Sequence, residues 1–314
     1  MIKTILIGLA ALYLVGCGNL APSTPTNQTL QSFYDYQLYS ENGQLYSLSQ
    51  LAEQVQNADV ILVGEWHTHT GIHRFQTDLL AELLATNSDI ALSMEQFSRD
   101  AQPIVDQYLA GKIGEQPLIT QANAWPNYPS DYRPLIELAK ANQLEVIAAN
   151  APRSIVRCVG RQGTAYLDKL SAEKRAWVAS EINTQASPYK SKFMQSMHHG
   201  EPEQTEKQFA AQMTWDETMA ESIVQYLSSH PNQKVMHIAG KFHVEDGLGT
   251  KASILRRNPA LKVLVITPTE NPTRDASDLQ LHVLPPPERY IQQENRIKAY
   301  QAMSHHRSGL ECEM

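Results

Sequence analysis

Three cysteines in 314 residues are too few to build a Cys₄ zinc or iron–sulfur site from one copy of the chain. The apolar run from Ile5 to Val15 falls short of the about 20 residues that a bilayer-spanning helix needs. There is no long basic run. With 26 Lys plus Arg against 33 Asp plus Glu, the formal charge of −7 argues against nucleic acid as a partner. The composition also excludes collagen, a coiled coil and a disulfide-rich mini-protein. No internal repeat, Walker A loop or G-x-S-x-G elbow occurs, so a Ser/His hydrolase has no nucleophile to start from. What remains is a body with 42% hydrophobic residues, enough for a sizeable core. At about 150 residues per domain the length allows two domains or one large one.

The N-terminus has the layout of an export signal: Lys3, the short apolar run, then Gly16-Cys17. Leu14-Val15-Gly16-Cys17 resembles a bacterial lipobox, in which cleavage before the cysteine leaves a thiol that carries lipid. This predicts a signal peptide over 1–16 and lipidation of Cys17. Acyl chains such as palmitate anchor at about 0.8 kcal/mol per buried CH₂. Gly18 follows without an Asp of the inner-membrane retention type, which favours the outer membrane, facing the periplasm. Residues 17–32 are Ser, Thr, Asn and Pro without periodicity and read as a flexible tether. Cys158 and Cys312 remain; an oxidising periplasm permits a bond between them, and the alternative is two separate thiols.

Short β-branched runs alternate with helix-length segments through the body. Strands are predicted at Val60–Val63, Ile90–Met94, Leu144–Ala149, Val235–Ala239 and Leu261–Ile266. Asn42-Gly43, between Tyr36–Tyr39 and Leu45-Tyr46, signals a hairpin. Helical periodicity covers His73–Leu84, Tyr132–Gln143, Thr205–Ser229 and Gly249–Arg257. The expected fold is α/β, a largely parallel β-sheet flanked by helices, over residues 33–290. A helical subdomain is inserted at about 151–204, and 291–314 form a C-terminal tail.

Polar residues gather where these strands end: Glu65, His67, Glu95, Asn150 and His243. In an open α/β sheet ligands bind along that rim. Glu65, His67 and His69 project to one side while the chain is extended. Carboxylate with imidazole can ligate a metal, move protons or hold a polar ligand. Gly240-Lys241-Phe242-His243 repeats the Gly-x-x-His arrangement of Gly64–His67. Trp125–Pro134 is an aromatic, Pro-rich loop containing Tyr128 and Tyr132, and a tyrosine phenolate is an axial ligand of ferric haem. Its ionisation needs a neighbouring cation, for which Arg133 and Arg153 are candidates. Met197-His198-His199 could ligate haem iron or a soft metal, or be an exposed loop. Gly247-Leu248-Gly249 with Ala252 matches G-x-G-x-x-A, but too far from its strand to be more than a turn into a helix.

On VGEWH (63–67), the Trp125–Pro134 loop, NAPR (150–153), AQMTWDETMA (211–220) and AGKFHVEDG (239–247), the chain resembles the ChaN family of haem-binding lipoproteins. The resemblance implies a lipid-anchored α/β body taking haem at the strand-end rim, in haem and iron acquisition. It implies Tyr132 as the axial ligand, with Tyr128 second, and a histidine, His198 or His199, facing haem. It places Glu65, His67, Glu95, Asn150, Arg153 and His243 around the pocket. The implied partners are haem, the bilayer through Cys17, a second copy on haem binding and an outer-membrane haem receptor. It also implies kinship with hydrolases of the erythromycin esterase and Tiki type. The alternative reading is therefore a hydrolase with Glu65 as general base and His67, His243 and Glu95 holding a metal.

Overall fold

Every residue from Val60 to Glu65 is buried, and the side chains divide by period two. Ile61 and Val63 enter one apolar cluster, Val60 and Leu62 another on the opposite face. A strand apolar on both sides must lie between two helical layers, as parallel strands do. The computed structural model, which describes residues 29–86, 89–196, 201–305 and 312, shows this arrangement.

Among the described residues eight strands form one sheet: β1 (Gln37–Tyr39), β2 (Leu45–Tyr46), β3 (Val60–Glu65), β4 (Ile90–Ser98), β5 (Val146–Asn150), β6 (Lys234–Gly240), β7 (Val263–Thr269) and β8 (Leu279–His282). Their order is β2-β1-β8-β7-β3-β6-β4-β5. The run from β8 to β5 is parallel throughout, and β1 pairs antiparallel with both β8 and β2. The five expected parallel strands are all present. The Asn42-Gly43 hairpin joins β1 to β2, with Gly43 at φ 69°; a Cβ there would lie 2.8 Å from the Thr273 carbonyl oxygen. The sequence reading missed β8, although Leu279, Leu281 and Val283 alternate with polar residues and all three are buried.

The helices are α1 (Leu48–Val55), α2 (Thr70–Ala85), α3 (Gln102–Leu109), α4 (Glu115–Gln121), α5 (Arg133–Ala141), α6 (Arg153–Gln162), α7 (Ala172–Ala176), α8 (Pro188–Ser196), α9 (Pro202–Ser229), α10 (Lys241–Val244), α11 (Thr250–Arg257) and α12 (Gln293–His305). On one face Leu79, Leu80 and Leu83 of α2 and Leu135 and Ile136 of α5 pack on Ile61, Leu92 and Ile238. On the other, Met219 and Ile223 of α9 and Ile254 of α11 cover Leu62, Val235 and Val265. Between β5 and β6 the described residues 151–204 hold helices and no strand. Val156 and Val159 of α6 pack there with Ala210 of α9. Gly249 does turn the chain into α11, as its isolated glycine pattern suggested.

Glu217, buried on α9, is gripped by Arg256 and Arg257 of α11, so its charge is paired where it is desolvated. Cys17, His198 and His199, and the signal segment 1–16, lie outside the described residues.

Cys158 of α6 and Cys312 form a disulfide across 154 residues of sequence, closing the alternative left open by the cysteine count. A crosslink of this kind contributes about 2–4 kcal/mol, chiefly by restricting the unfolded chain. Cys312→Ser should therefore lower the unfolding free energy by about that amount. Urea denaturation of both proteins, with and without reductant, checks it: reductant should destabilise only the wild type.

Candidate functional site

The strands carrying the polar residues are neighbours in the sheet, in the order β3-β6-β4-β5. Glu65 ends β3, Gly240 ends β6 beside it, and Asn150 ends β5. Glu95 lies in β4 where the register with β5 shifts between Met94 and Ser98, an irregularity of the kind that re-aims a side chain. Asn150 Nδ2 donates to the Glu95 carbonyl oxygen at 3.0 Å and ties the two strand ends together.

Glu65 is buried beneath this rim and its carboxylate is fully engaged. Oε1 lies 2.8 Å from His67 Nδ1 and accepts from Tyr132 Oη at 2.6 Å and Gln96 Nε2 at 3.1 Å. Oε2 accepts from Gln76 Nε2 at 2.8 Å, with His73 Nδ1 3.7 Å away. Burial alone would raise its pKa. The hydrogen bond from His67 and the nearby imidazoles outweigh that and hold it below the usual carboxylate range.

An ionised carboxylate only accepts, so His67 Nδ1 carries the proton. Nε2 of the neutral ring is then left with its lone pair. That ring is 44% exposed, edge-on to Trp125 at 4.9 Å. Burial works against its cation, but the bond to Glu65 and the charge of Glu95 raise its pKa overall.

The second histidine is held in the same manner by different residues. His243 Nδ1 lies 3.1 Å from Asp216 Oδ1 and 3.0 Å from Gln212 Nε2, and its Nε2 is 3.7 Å from Glu95 Oε1. Asp216 in turn accepts from Tyr189 Oη at 2.9 Å and Thr250 Oγ1 at 2.8 Å. Desolvation opposes its charge, yet Asp216 and Glu95 push the His243 pKa up to about 9. Asp216 was not singled out from sequence. Its signal was there: a carboxylate on α9 three residues from both Met213 and Met219, on the stripe that faces inward.

The two Gly-x-x-His segments interlock. A Cβ at Gly240 would come within 2.8 Å of His67 Cε1 and 2.9 Å of its Nε2, and a Cβ at Gly64 within 2.7 Å of Val244 Cγ2. Each strand's glycine makes room for the chain that follows its neighbour.

Two cavities meet at His67 and His243. The larger, about 740 Å³, is walled by Trp125, Pro126, Pro152 and Trp215, with Arg153 exposed at the start of α6. The other, about 520 Å³, has Trp66, Phe193, Phe242 and Lys241. Both volumes are in the range of small-molecule sites.

The tyrosines do not stand where the sequence reading put them. Tyr132 closes a π-helical turn (Tyr128–Tyr132), is wholly buried, and gives its hydroxyl proton to Glu65. Burial, then the Glu65 charge, drive its pKa far above the ordinary phenol value. Tyr128 is buried against Phe97, its hydroxyl unpaired, and burial raises its pKa too. Arg133 is paired with Glu115 and is no counter-ion to either. In this arrangement neither oxygen faces the cleft, because a buried carboxylate claims the one donor and the core encloses the other. Nor is Glu65 a free base. Among the described residues no group of three or more His, Cys, Asp or Glu is placed to hold a metal ion.

A family model described as haem-binding uptake, Tiki superfamily, ChaN matches residues 51–254. No curated protein sequence matches significantly. Among solved structures, one described as cofacial heme binding to ChaN of Campylobacter jejuni superposes with a TM-score of 0.63 at 18% identity, over 82% of this chain and all of that one. This likeness shows the fold. A mutant erythromycin esterase in its open conformation aligns at TM-score 0.43 and 10% identity, over 84% of this chain and 87% of its own. A toxin effector domain from Vibrio vulnificus aligns at 0.42 and 16%, over 76% and 38% respectively.

The His243 pKa sets a stability window. Because the folded value of about 9 lies above the ordinary 6.5, the contribution is complete below about pH 6.5 and is lost as pH rises through 9. Thermal melts of the wild type between pH 6 and 10 should fall by the equivalent of about 3 kcal/mol. Asp216→Asn, which removes the largest favourable charge, should flatten that profile; an unchanged profile refutes the pairing.

Proposed function

We propose that this chain, which belongs to the ChaN haem-binding uptake family of the Tiki superfamily, takes haem in the strand-end cleft with the His67 imidazole turned to the iron. One observation carries the reading: with Nδ1 spent on Glu65, His67 is the half-exposed donor where the two cavities meet. A carboxylate behind a ligating histidine fixes its tautomer and strengthens it as a donor.

The surroundings suit an amphiphilic dianion. Trp125, Pro126, Trp215, Phe193 and Phe242 offer apolar walls, and Arg153 and Lys241 stand on either side of His67 for two carboxylates. His243, kept cationic by Asp216, adds positive charge to the floor of the cleft. Gly240 leaves the space in which the His67 ring lies. Bound haem supplies the iron and its redox and ligand chemistry. Glu65, Gln96, Gln76 and Tyr132 hold the donor in place.

Two further parts of the reading concern location. Lipid on Cys17 and attachment to the outer membrane rest on the Leu14–Cys17 pattern, supported by a disulfide of the sort that persists in oxidising compartments. Among the described residues no helix is long and apolar enough to cross a membrane. Pairing of two copies around haem belongs to the same reading, and sedimentation during titration measures it.

Haem titration of the wild type, His67→Ala, Tyr132→Phe and Gly240→Ala, followed by absorption spectra, tests the assignment. His67→Ala should move the Soret band and weaken binding at least about tenfold, the loss of about 1.4 kcal/mol. Gly240→Ala should shift the band by displacing the ring. Tyr132→Phe should keep the wild-type band with a modest loss of affinity. A band that survives His67→Ala but collapses in Tyr132→Phe would instead assign a tyrosinate ligand brought out by rearrangement of the Tyr128–Tyr132 turn.

A further inference from the structure

The five exposed large hydrophobic side chains among the described residues are Phe33, Tyr34, Tyr290, Ile291 and Ile297. Singly, such residues need no explanation. Their distribution does: all precede β1 or follow β8, and none lies on the body between. Ile291 is 88% exposed and Tyr34 61%, and no packing within the fold accounts for either.

Topology brings the two segments to one place. Because β8 is parallel to β7 and β1 is antiparallel to β8, with Gln37 opposite His282, the chain enters β1 and leaves β8 at the same end of the sheet. That is the end at which β3 and β6 deliver His67 and His243. His69 fastens both segments to it: its Nε2 bonds the Leu284 carbonyl oxygen at 2.9 Å, and its ring meets Phe33 at 5.5 Å. On its other side the same ring meets Trp66, which lines the cleft, at 5.7 Å.

We propose that this strand-end face rests on a lipid bilayer surface through Phe33, Tyr34, Tyr290 and Ile291, so that the mouth of the cleft lies beside the membrane. The inference rests on the reading that Cys17 carries lipid. Cys17 stands twelve residues before Thr29, the first described residue, so it is within about 43 Å of Thr29 even at full extension. A bilayer holding that lipid is therefore close to the segment that bears Phe33 and Tyr34. Aromatic side chains with a polar atom favour the membrane–water interface, and an aliphatic one beside them enters it at low cost. A ligand as apolar as haem could then pass between cleft and bilayer with little exposure to water.

The test uses the full-length protein, processed in a bacterial host and reconstituted on vesicles of phosphatidylethanolamine and phosphatidylglycerol. An environment-sensitive fluorophore is placed by Tyr34→Cys, Ile291→Cys or, as control, Asn232→Cys, an exposed position in the turn before β6 at the opposite end of the sheet. Cys158 and Cys312 are shielded by their bond when no reductant is present. Brominated acyl chains should quench the labels at 34 and 291 several-fold more than the label at 232, with blue-shifted emission. Equal quenching at all three positions, or none at 34 and 291 in protein that still sediments with vesicles, overturns the docking face and leaves the lipid anchor standing. Protein that fails to sediment with vesicles overturns the anchor as well. Labels at 34 and 291 that are shielded from water without lipid quenching, in a protein that sediments as a dimer, give the face to a second copy and refute the proposal.

Discussion

A single buried negative charge organises the cleft. Glu65 sits at the end of a strand that is otherwise apolar, where an unpaired carboxylate would cost several kcal/mol. It is tolerated because β4, α2, the turn before α5 and the segment after β3 each send it a polar partner. The consequence is directional. With both oxygens engaged, Glu65 does not act on a ligand itself; it orients His67, which does reach the cleft. The low local dielectric that makes the charge costly also strengthens these hydrogen bonds.

The same logic recurs at His243 with Asp216 in the role of Glu65, but the carboxylate arrives from a helix rather than from the preceding strand. Two oriented imidazoles, one half-exposed and one buried and cationic, thus stand at the junction of two apolar cavities. Their closeness follows from backbone geometry. β3 and β6 are adjacent and in register, Gly64 beside Ala239 and Glu65 beside Gly240. Neither chain could turn across the other's end if a side chain filled either glycine position. The repeated Gly-x-x-His spacing is the sequence trace of that steric exchange.

Much of this was legible in order along the chain. The parallel strands announced themselves as short β-branched runs, and the residues after them did converge on one rim. Alternation in Leu279–Val283 would have disclosed β8 too, but a four-residue strand with two polar members is weak against longer apolar runs. The tyrosine reading erred for a different reason. Residue type made Tyr132 a plausible iron ligand, whereas its oxygen is consumed by a carboxylate 67 residues away in sequence. A hydroxyl's availability depends on what else is buried with it.

Periodicity and turn chemistry are local, so the amino-acid order alone determined the strands, the hairpin at Asn42-Gly43, the long amphipathic α9 and the polar character of the strand ends. The order in which the strands lie side by side is not local, and only the folded chain decided it. That arrangement placed β6 between β3 and β4, brought Asp216 to His243, paired Cys158 with Cys312, and withdrew Tyr132 from the cleft. A buried charge takes the nearest donors that the core presents, and nearness in the core is a property of packing, not of sequence.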